Sequence, residues 1–322
     1  MRAILKQKSL LLPVALLLEL ASCSRTAGSE YIHEEGIAWN TVYHVTYRSS
    51  ESLADSIIAV INEIDLSLSP FNPSSRMTAL NENRTDSVDG HFISVYSKSR
   101  EISRLTGGAF DPTLAPLIRA WGFGQGHEVS ADTLRLDSLL HLVGIDKTAL
   151  QGNRLVKENP SIEFNFSALA KGYGVDCVAD MLERNGVEDY LVEIGGEIRA
   201  KGKNPNGEVW RIGIDQPDPD CDGDIQCVVT LTDAALATSG NYRNFHEVDG
   251  QRFGHTISAT TGRPVTTDVL SATIMAPTCV EADAIATSCM ALGKEKAVAL
   301  CDSLRLGYLL ILSDYTVISK NI

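Results

Sequence analysis

The sequence predicts an α+β fold, built mainly from antiparallel sheets with interspersed helices. Most of the predicted strands come in pairs separated by short turns, whereas a doubly wound parallel sheet would separate its strands by helices. Segments with apolar residues at helical spacing lie between these pairs. The 322 residues, of which 44% are hydrophobic and 21% charged, suffice for one large or two modest domains with a full-sized core.

In the N-terminal half, alternating apolar residues predict a strand over residues 39–47, and a Ser52-x-x-Asp55 capping pattern opens the first helix. Apolar residues at helical spacing predict helices over residues 52–66, 93–105 and 133–143. Residues 70–81 are predicted to form a loop. Residues 107–126 are predicted to be irregular because they are rich in Gly and Pro. A turn at Gln151-Gly152-Asn153 predicts a hairpin within residues 150–166.

The C-terminal half continues with the same alternation of helices and paired strands. A helix over residues 168–184 ends at Asn185-Gly186, since glycine favours the left-handed conformation of a helix C-terminus. Strands are expected over residues 190–202, 209–215, 228–236 and 270–275. A helix over residues 280–292 follows, and a hairpin of residues 308–312 and 315–319 closes the chain.

The N-terminus is interpreted as a lipoprotein signal peptide of residues 1–22. A basic start precedes an apolar run at residues 10–18, which is shorter than the roughly 20 residues of a membrane-spanning helix. The run ends in Leu-Ala-Ser-Cys, which resembles a bacterial lipobox with Cys23 as the acylated residue. The alternative is an ordinary signal peptide with a chance cysteine. Acylation would anchor an exported protein to a membrane of the bacterial cell envelope without spanning it. Residues 23–36 are small and polar and predict a tether, which leaves residues 37–322 for the folded domain.

Charge and cysteine content exclude two classes of function. With 28 Lys and Arg against 41 Asp and Glu, the formal net charge is −13, which disfavours nucleic acid as a partner. The six cysteines after Cys23 show no C-x-x-C spacing, so a thiolate metal site is not expected. Cys221 and Cys227 flank an Asp- and Gly-rich loop and could be bridged in an oxidising compartment, although the sequence leaves their redox state open. Buried free thiols are expected for the others.

The stretch EADAIAT at residues 281–287 contains a candidate cation site. On a helix, Asp283 and Thr287 are separated by one turn, so both oxygens project from the same face. A carboxylate beside a hydroxyl suits a hard cation such as Mg²⁺, which takes its remaining ligands from phosphate or water. The alternative is that capping and the helix dipole place these two residues near a helix N-terminus.

The stretch NFSALAKGYGVD at residues 165–176 places two glycines in an apparent helix. Each of Gly172 and Gly174 costs up to about 1 kcal/mol relative to alanine, which indicates that another backbone or a ligand comes close. Lys171 beside them could meet a phosphate. The alternative is helix–sheet packing with an exposed lysine.

The stretch GHTISATTGRPV at residues 254–265 begins as a short strand and breaks at a turn around Gly262. Its apolar residues are too sparse to predict core, so it is either a surface hairpin or a site where His255 and its neighbours meet a charged ligand. Thr238-Ser239-Gly240, which also follows predicted strand residues, could bind phosphate through hydroxyls and amides. GFGQG at residues 122–126 neither follows a clear strand nor opens a helix, so it is not a dinucleotide fingerprint. Trp121 and Phe123 beside it would either wall a flat ring or belong to the core.

Seven stretches, in order, resemble the FAD:protein FMN transferase family, which is also described as ApbE-like or thiamine-biosynthesis lipoproteins. They extend from about Ala38 to about Leu312 and are SPFNPSSRMTALN, GGAFDPTLAPLIRAWGFG, ALAKGYGVD, VEIGGEIRAKGKNPNGEVWRIGID, ATSGNYRNF, HTISATTGRPV and EADAIATSCMALG. Each stretch is modest by itself, but their common order makes the resemblance specific.

The resemblance implies a Mg²⁺-dependent enzyme of protein flavinylation, with residues 37–322 as its catalytic domain. Such an enzyme binds FAD in a cleft between two subdomains, transfers the FMN moiety to a threonine hydroxyl of a partner flavoprotein and releases AMP. The implied acceptors are subunits of respiratory electron-transport complexes. Two alternatives stay open: a Mg²⁺-dependent FAD pyrophosphatase that gives FMN and AMP, and a flavin-binding lipoprotein without catalysis.

The resemblance also implies roles for individual residues. The Mg²⁺ ligands would be Asp283, Thr287 and the main-chain carbonyl of Ala168. The FAD contacts would be Trp39, Phe71, Trp121, Gly122, Phe123, Asn165, Lys171 and Ile257. His255 would be the general base toward the threonine hydroxyl, because a neutral imidazole can accept that proton. The charge of Arg263 suggests that it steadies the phosphates. The chain departs from the family at Ser258-Ala259, where Asp-Pro is usual, at Asn165, where Asp is usual, and at Trp39, where Met is usual.

Overall fold

The fold is centred on an eight-stranded sheet in which all neighbouring strands are antiparallel, which confirms the predicted α+β class. The computed structural model describes residues 30–123, 133–217, 225–240, 245–248 and 251–322. The sheet contains, in spatial order, β1 (Glu30–Ala38), β2 (Thr41–Ser49), β5 (Tyr190–Ile194), β6 (Glu197–Lys201), β9 (Ala234–Gly240), β12 (Val269–Ala276), β13 (Gly307–Leu312) and β14 (Val317–Lys320).

Three two-stranded hairpins lie outside this sheet: β3 (Thr148–Gln151) with β4 (Arg154–Lys157), β7 (Trp210–Asp215) with β8 (Ile225–Leu231), and β10 (Phe245–Val248) with β11 (Gln251–Gly254). The helices are α1 (Ala54–Leu68), α2 (Arg76–Asn81), α3 (Gly90–Leu105), α4 (Ala115–Ala120), α5 (Thr133–Leu140), α6 (Ala170–Arg184), α7 (Cys279–Leu292) and α8 (Lys294–Leu304). No helix in these described segments combines the length and apolar character needed to cross a bilayer.

The first strand corrects the predicted tether. Residues 30–36, which were assigned to it, belong to β1 and pair with β2 along its whole length. The sequence hid this strand because β1 is an edge strand whose mostly polar side chains are largely exposed or half-buried. Trp39 was predicted within a strand, but Trp39 and Asn40 form the turn between β1 and β2 with φ of 49° and 63°. Two successive positive φ values are typical of a type I′ hairpin.

Helix α1 begins one residue later than the capping pattern predicted, because its N-cap is Leu53, which makes no side-chain capping bond, rather than Ser52. The Ser52 hydroxyl still accepts a 3.2 Å hydrogen bond from the Ala54 N–H in the first turn. The same hydroxyl donates a 2.7 Å hydrogen bond to Glu34 on β1. Ser52 therefore contacts both the start of the helix and the neighbouring strand.

Two predicted strands are each divided by a turn. Gly195 and Gly196, with φ of 63° and 95°, separate β5 from β6, and Asp233, with φ of 48°, lies between β8 and β9. Helix α2 occupies part of the predicted loop at residues 70–81, where Ser75 caps it by accepting a 3.0 Å hydrogen bond from the Thr78 N–H. Helices α4 and α8 were also missed: α4 has only six residues, whereas α8 has eleven and buries Ala297, Leu300 and Cys301.

The core has a main part on each face of the sheet. On one face, α1 and α6 pack against β2 and β5, α7 and α8 pack against β12 and β13, and α3 packs against α7. The β7–β8 hairpin covers the other face through apolar residues such as Trp210 and Leu231. A smaller, separate core forms around α4 and α5 and includes Leu117, Trp121 and Ile257.

Candidate functional site

A cavity of about 530 Å³ opens beside the β1–β2 turn. It is lined by residues from the turn, from the end of α1 and the loop after it, and from the start of α6, among them Trp39, Asp65, Phe71, Ser167 and Lys171. Three of the predicted FAD-contacting residues, namely Trp39, Phe71 and Lys171, therefore lie together. The cavity combines aromatic walls with a cationic side chain, which suits a flat ring attached to a phosphate.

The two helical glycines of α6 allow close approach, as their positions predicted. A Cβ on Gly174 would overlap the indole of Trp39, and a Cβ on Gly172 would overlap the Cys279 carbonyl. Both glycines are buried. The absence of a side chain at Gly174 thus lets Trp39, which lines the cavity, pack against α6. The absence of a side chain at Gly172 lets α6 pack against the start of α7.

Helix α7 is positioned by a carboxylate that belongs to α6. Asp176 is 7% exposed and accepts hydrogen bonds of 3.0 and 2.9 Å from the N–H groups of Cys279 and Val280. Arg199 donates to the same carboxylate at 3.1 Å. A negative charge at a helix N-terminus is stabilising because the N–H groups there have no partner within the helix. In the sequence, the one signal for this role was an acid at a position that the helical pattern of α6 predicts to be buried.

Asp283 and Thr287 lie on one face of α7, one turn apart, as predicted. Asp283 is 4% exposed, and its carboxylate accepts a 3.0 Å hydrogen bond from the Gly172 N–H. The Thr287 hydroxyl is 3.0 Å from the hydroxyl of Ser239 on β9. Since Asp176 caps α7, Asp283 does not cap its own helix, and the capping alternative is wrong for it.

The contact with Gly172 also affects the third predicted ligand. Gly172 follows Ala168 by four residues, so in a regular helix its N–H would bond the Ala168 carbonyl. Here that N–H donates to Asp283. The Ala168 carbonyl therefore lies before the regular part of α6, and the Gly172 N–H that would bond it in a regular helix bonds Asp283 on α7.

Glu197 is a functional candidate that the sequence analysis did not single out. It begins β6, is 3% exposed and accepts a hydrogen bond from the Lys171 ammonium through Oε1. Its Oε2 is buried without a hydrogen-bond partner in the described part of the chain. The motif VEIGGEIRAKG contained the residue, but nothing local indicated that it pairs with a lysine on α6.

The charges of this cluster shift one another's pKa. Burial raises the pKa of Glu197, and the Lys171 ammonium opposes that shift. Burial also raises the pKa of Asp283, while the Lys171 ammonium and the Gly172 N–H oppose that shift. Burial lowers the pKa of Lys171, but the nearby Glu197 and Asp283 carboxylates outweigh it and leave that pKa above its ordinary value. The cluster thus holds two carboxylates and one ammonium in a largely dry environment.

His255 lies in a second region, at the small core around α4 and α5. Its half-buried ring meets Phe123 edge-on with the ring centroids 6.4 Å apart. Trp121 is 7% exposed, and its indole N–H donates a 2.8 Å hydrogen bond to the Gly262 carbonyl. The turn that follows His255 is therefore held by a buried tryptophan, with Gly262 at φ 66°.

Ile257 corrects the expectation that this stretch contributes nothing to a core. It is 3% exposed, belongs to the small core and forms a β-bridge with Pro264. The stretch GHTISATTGRPV is thus a turn closed by the Ile257–Pro264 bridge, which packs through Ile257 and has His255 near its start. A single buried side chain was too weak a periodic signal to reveal this.

The remaining predicted residues are placed as follows. Asn165 is half-buried: its N–H donates to the Pro112 carbonyl at 2.8 Å, and its side chain accepts from the Ser167 N–H at 2.8 Å. Gly122 is buried, with φ of 76°, directly after α4. Arg263 is exposed at the turn. The predicted lipidation site Cys23 lies outside the described residues, and so does Cys221, the candidate bridge partner of Cys227 on β8, since residues 1–29 and 218–224 are not among them.

The donors on α7 differ from a metal site built from amino-acid side chains alone. Within the described segments, no group of three or more His, Cys, Asp or Glu side chains is arranged to hold a metal ion. The predicted set of one carboxylate, one hydroxyl and one main-chain carbonyl is of another kind. Its hard oxygen donors match the preference of Mg²⁺, which usually completes its shell with water and substrate phosphate.

Comparisons with known proteins agree on one family. Residues 39–310 match the ApbE family. An FAD:protein FMN transferase of Vibrio cholerae is 36% identical over 314 residues, which cover 94% of this chain and 92% of the relative. A protein of the same name from Haemophilus influenzae is 33% identical and covers 97% of this chain and 94% of its own.

Solved structures give the same result. The structure of the flavin transferase ApbE from Vibrio cholerae has a TM-score of 0.79 at 33% identity, over 91% of this chain and 98% of its own. The apo form of the Pseudomonas stutzeri flavinyl transferase ApbE has a TM-score of 0.82 at 29% identity, over 91% and 96%. With matches to sequence and structure that extend over most of its length, the chain belongs to the ApbE family.

Proposed function

We propose that this protein is a Mg²⁺-dependent FAD:protein FMN transferase, which moves the FMN moiety of FAD to a threonine hydroxyl of a partner flavoprotein and releases AMP. One observation carries the proposal, namely the contacts of two glycines that lie two residues apart on α6. Gly172 contacts the face of α7 that carries Asp283, and Gly174 contacts Trp39 in the wall of the cavity. A ring-binding cavity and a site for a hard cation are thereby adjacent. The names of the relatives support the same activity.

The cavity is proposed as part of an FAD cleft. Trp39 and the half-exposed Phe71 offer apolar faces to a ring, and Lys171 offers a positive charge to the pyrophosphate. Trp121, Gly122, Phe123 and Ile257 contribute from the small core, where they position the segment that carries His255. Asn165 and Arg263 complete the proposed contacts.

The residues present fit Mg²⁺. Asp283 and Thr287 would hold the ion together with the Ala168 carbonyl, and the Gly172 N–H orients the Asp283 carboxylate. When bound, Mg²⁺ neutralises charge on the pyrophosphate as its phosphorus is attacked. Lys171 adds a second positive charge on the cavity side.

His255 is proposed as the general base. The acceptor hydroxyl oxygen forms a bond to the FMN phosphorus, and the bond from that phosphorus to the bridging oxygen breaks. The bridging oxygen and its electron pair leave with AMP. The proton of the hydroxyl passes to the His255 imidazole, and the Phe123 edge contact holds the ring in place.

The acceptor is proposed to be a flavoprotein subunit of a respiratory electron-transport complex.

We further propose that the protein is exported and lipid-anchored through Cys23 in the bacterial cell envelope. Conversion of Cys23 to alanine in the full chain should move the protein from the membrane fraction to the soluble fraction. Retention of this variant in membranes would contradict lipidation at Cys23.

Mass spectrometry tests the transfer. An acceptor domain with a flavinylation threonine is incubated with the protein, FAD and Mg²⁺. A mass gain equal to an FMN moiety, lost on addition of EDTA, is expected. Release of FMN and AMP with every tested acceptor unmodified would identify a pyrophosphatase, and absence of FAD turnover would identify a flavin-binding protein.

A further inference from the structure

Glu197 is a buried carboxylate to which the proposed chemistry assigns no role. Its side chain is 4% exposed, and only Oε1 is engaged, by the Lys171 ammonium. Oε2 has no hydrogen-bond partner in the described structure. A buried acceptor without a hydrogen bond is destabilising, so an ion pair that served stability alone would be expected to satisfy both carboxylate oxygens. Apolar residues can often replace a buried ion pair without loss of stability.

Lys171 interacts with two buried carboxylates. Its ammonium is bonded to Glu197 and also interacts electrostatically with Asp283. The next residue, Gly172, donates its backbone N–H to that same Asp283, so the start of α6 holds Lys171 near the face of α7. The lysine side chain is flexible and 36% exposed toward the cavity. The ammonium can therefore bind either Glu197 or Asp283. When it binds Glu197, the Asp283 carboxylate is available to another cation.

Glu197 is well placed to fix this choice. It is the first residue of β6, follows the tight Gly195-Gly196 turn and pairs with Ile194 of β5, and pairing of β6 with β9 begins at the next residue. The lysine, in contrast, reaches from the first turn of a helix through a long side chain. Because the Glu197 carboxylate is held on a strand and the Lys171 side chain is flexible, the carboxylate determines where the ammonium lies.

We propose that Glu197 is a positioning residue that holds the Lys171 ammonium off the Asp283 carboxylate and so leaves this carboxylate to a divalent cation. The inference rests on the proposed function, which makes Asp283 a Mg²⁺ ligand. Two cations attracted to one carboxylate compete, so loss of the Glu197 charge lets the ammonium occupy the cation's place.

Binding of Mn²⁺, a hard divalent cation visible by electron paramagnetic resonance, tests the inference without FAD or turnover. We expect Glu197→Gln to raise the Kd for Mn²⁺ at least about tenfold, which corresponds to about 1.4 kcal/mol. Adding Lys171→Met to Glu197→Gln should restore the affinity, because the competing ammonium is gone and the net charge is that of the natural pair. An unchanged Kd in Glu197→Gln, or no restoration in the double variant, would overturn the proposal.

Glu197→Asp separates positioning from charge. This variant keeps the negative charge but withdraws the carboxylate from Lys171 by one methylene. Weakened Mn²⁺ binding supports positioning, whereas the affinity of the unsubstituted protein would mean that only net charge matters and would overturn it. Thermal unfolding of each variant verifies that it is folded.

Asp283→Asn distinguishes the failure of this inference from failure of the proposed function. If Asp283→Asn binds Mn²⁺ as well as the unsubstituted protein does, the proposed metal site is wrong. If Asp283→Asn loses Mn²⁺ while Glu197→Gln retains the full affinity, the metal site stands and the role of Glu197 is wrong.

Discussion

The backbone N–H of Gly172 donates a 3.0 Å hydrogen bond to the buried carboxylate of Asp283, and this contact joins α6 to α7 where the cavity meets the proposed cation site. A Cβ on Gly172 would overlap the Cys279 carbonyl and come within 2.8 Å of Asp283 Cβ, so the contact requires glycine. The same backbone therefore orients a carboxylate and places Lys171 at the cavity.

Asp283→Ala should abolish AMP release from FAD even at saturating Mg²⁺, because the only carboxylate in the proposed ligand set is removed. Release of AMP is measured by chromatography over a range of Mg²⁺ concentrations. Glu295→Gln, an exposed acid in the first turn of α8, serves as the control and should behave as the unsubstituted protein. AMP release by Asp283→Ala at the full rate would exclude Asp283 from the metal site.

His255→Ala should lower kcat by about 10²–10⁴, the range expected for loss of a general base. Affinity for FAD should change little, since the substitution removes a proton acceptor rather than a cavity wall. Single-turnover flavinylation of an acceptor domain gives the rate, and flavin fluorescence gives the affinity. His141→Ala, at an exposed position after α5, is the matched control. An unaltered rate in His255→Ala would remove His255 from the mechanism.

Gly174→Ala should destabilise the fold by about 1–3 kcal/mol, as overpacking of a core does, and should weaken FAD binding by displacing Trp39. Urea unfolding and flavin fluorescence measure the two effects. Gly90→Ala is the control, because the added methyl group meets nothing within 4 Å and α3 accepts alanine readily. Equal behaviour of the two variants would mean that the Trp39 contact with Gly174 does not constrain the cavity.

Asp176→Asn should lower the free energy of unfolding by about 2–4 kcal/mol, since a buried charge that accepts two helix N–H groups and pairs with Arg199 is lost. Asp180 also pairs with Arg199, but its side chain is 53% exposed. Asp180→Asn should therefore lower the free energy of unfolding by at most about 1 kcal/mol. Urea unfolding compares the two variants. A loss of similar size in both would show that capping of α7 is not what makes Asp176 important.

The sequence by itself determined what local patterns encode. Alternation and helical spacing located most strands and helices, the glycines of α6 indicated a close approach, and Asp283 and Thr287 were placed on one helix face by their separation alone. The order of seven motifs indicated the family. These inferences hold because backbone geometry relates near neighbours in the sequence directly to neighbours in space.

Only the tertiary structure decided which distant residues meet. Asp176 caps a helix that begins 103 residues later, and Lys171 pairs with a glutamate 26 residues away on a strand. Trp39 packs on Gly174 because a hairpin turn, rather than a strand, carries it there. Such contacts depend on the order of strands in the sheet and on how helices dock onto it. The partners of buried charges lie on other helices and strands, so the periodicity of a single segment cannot identify them.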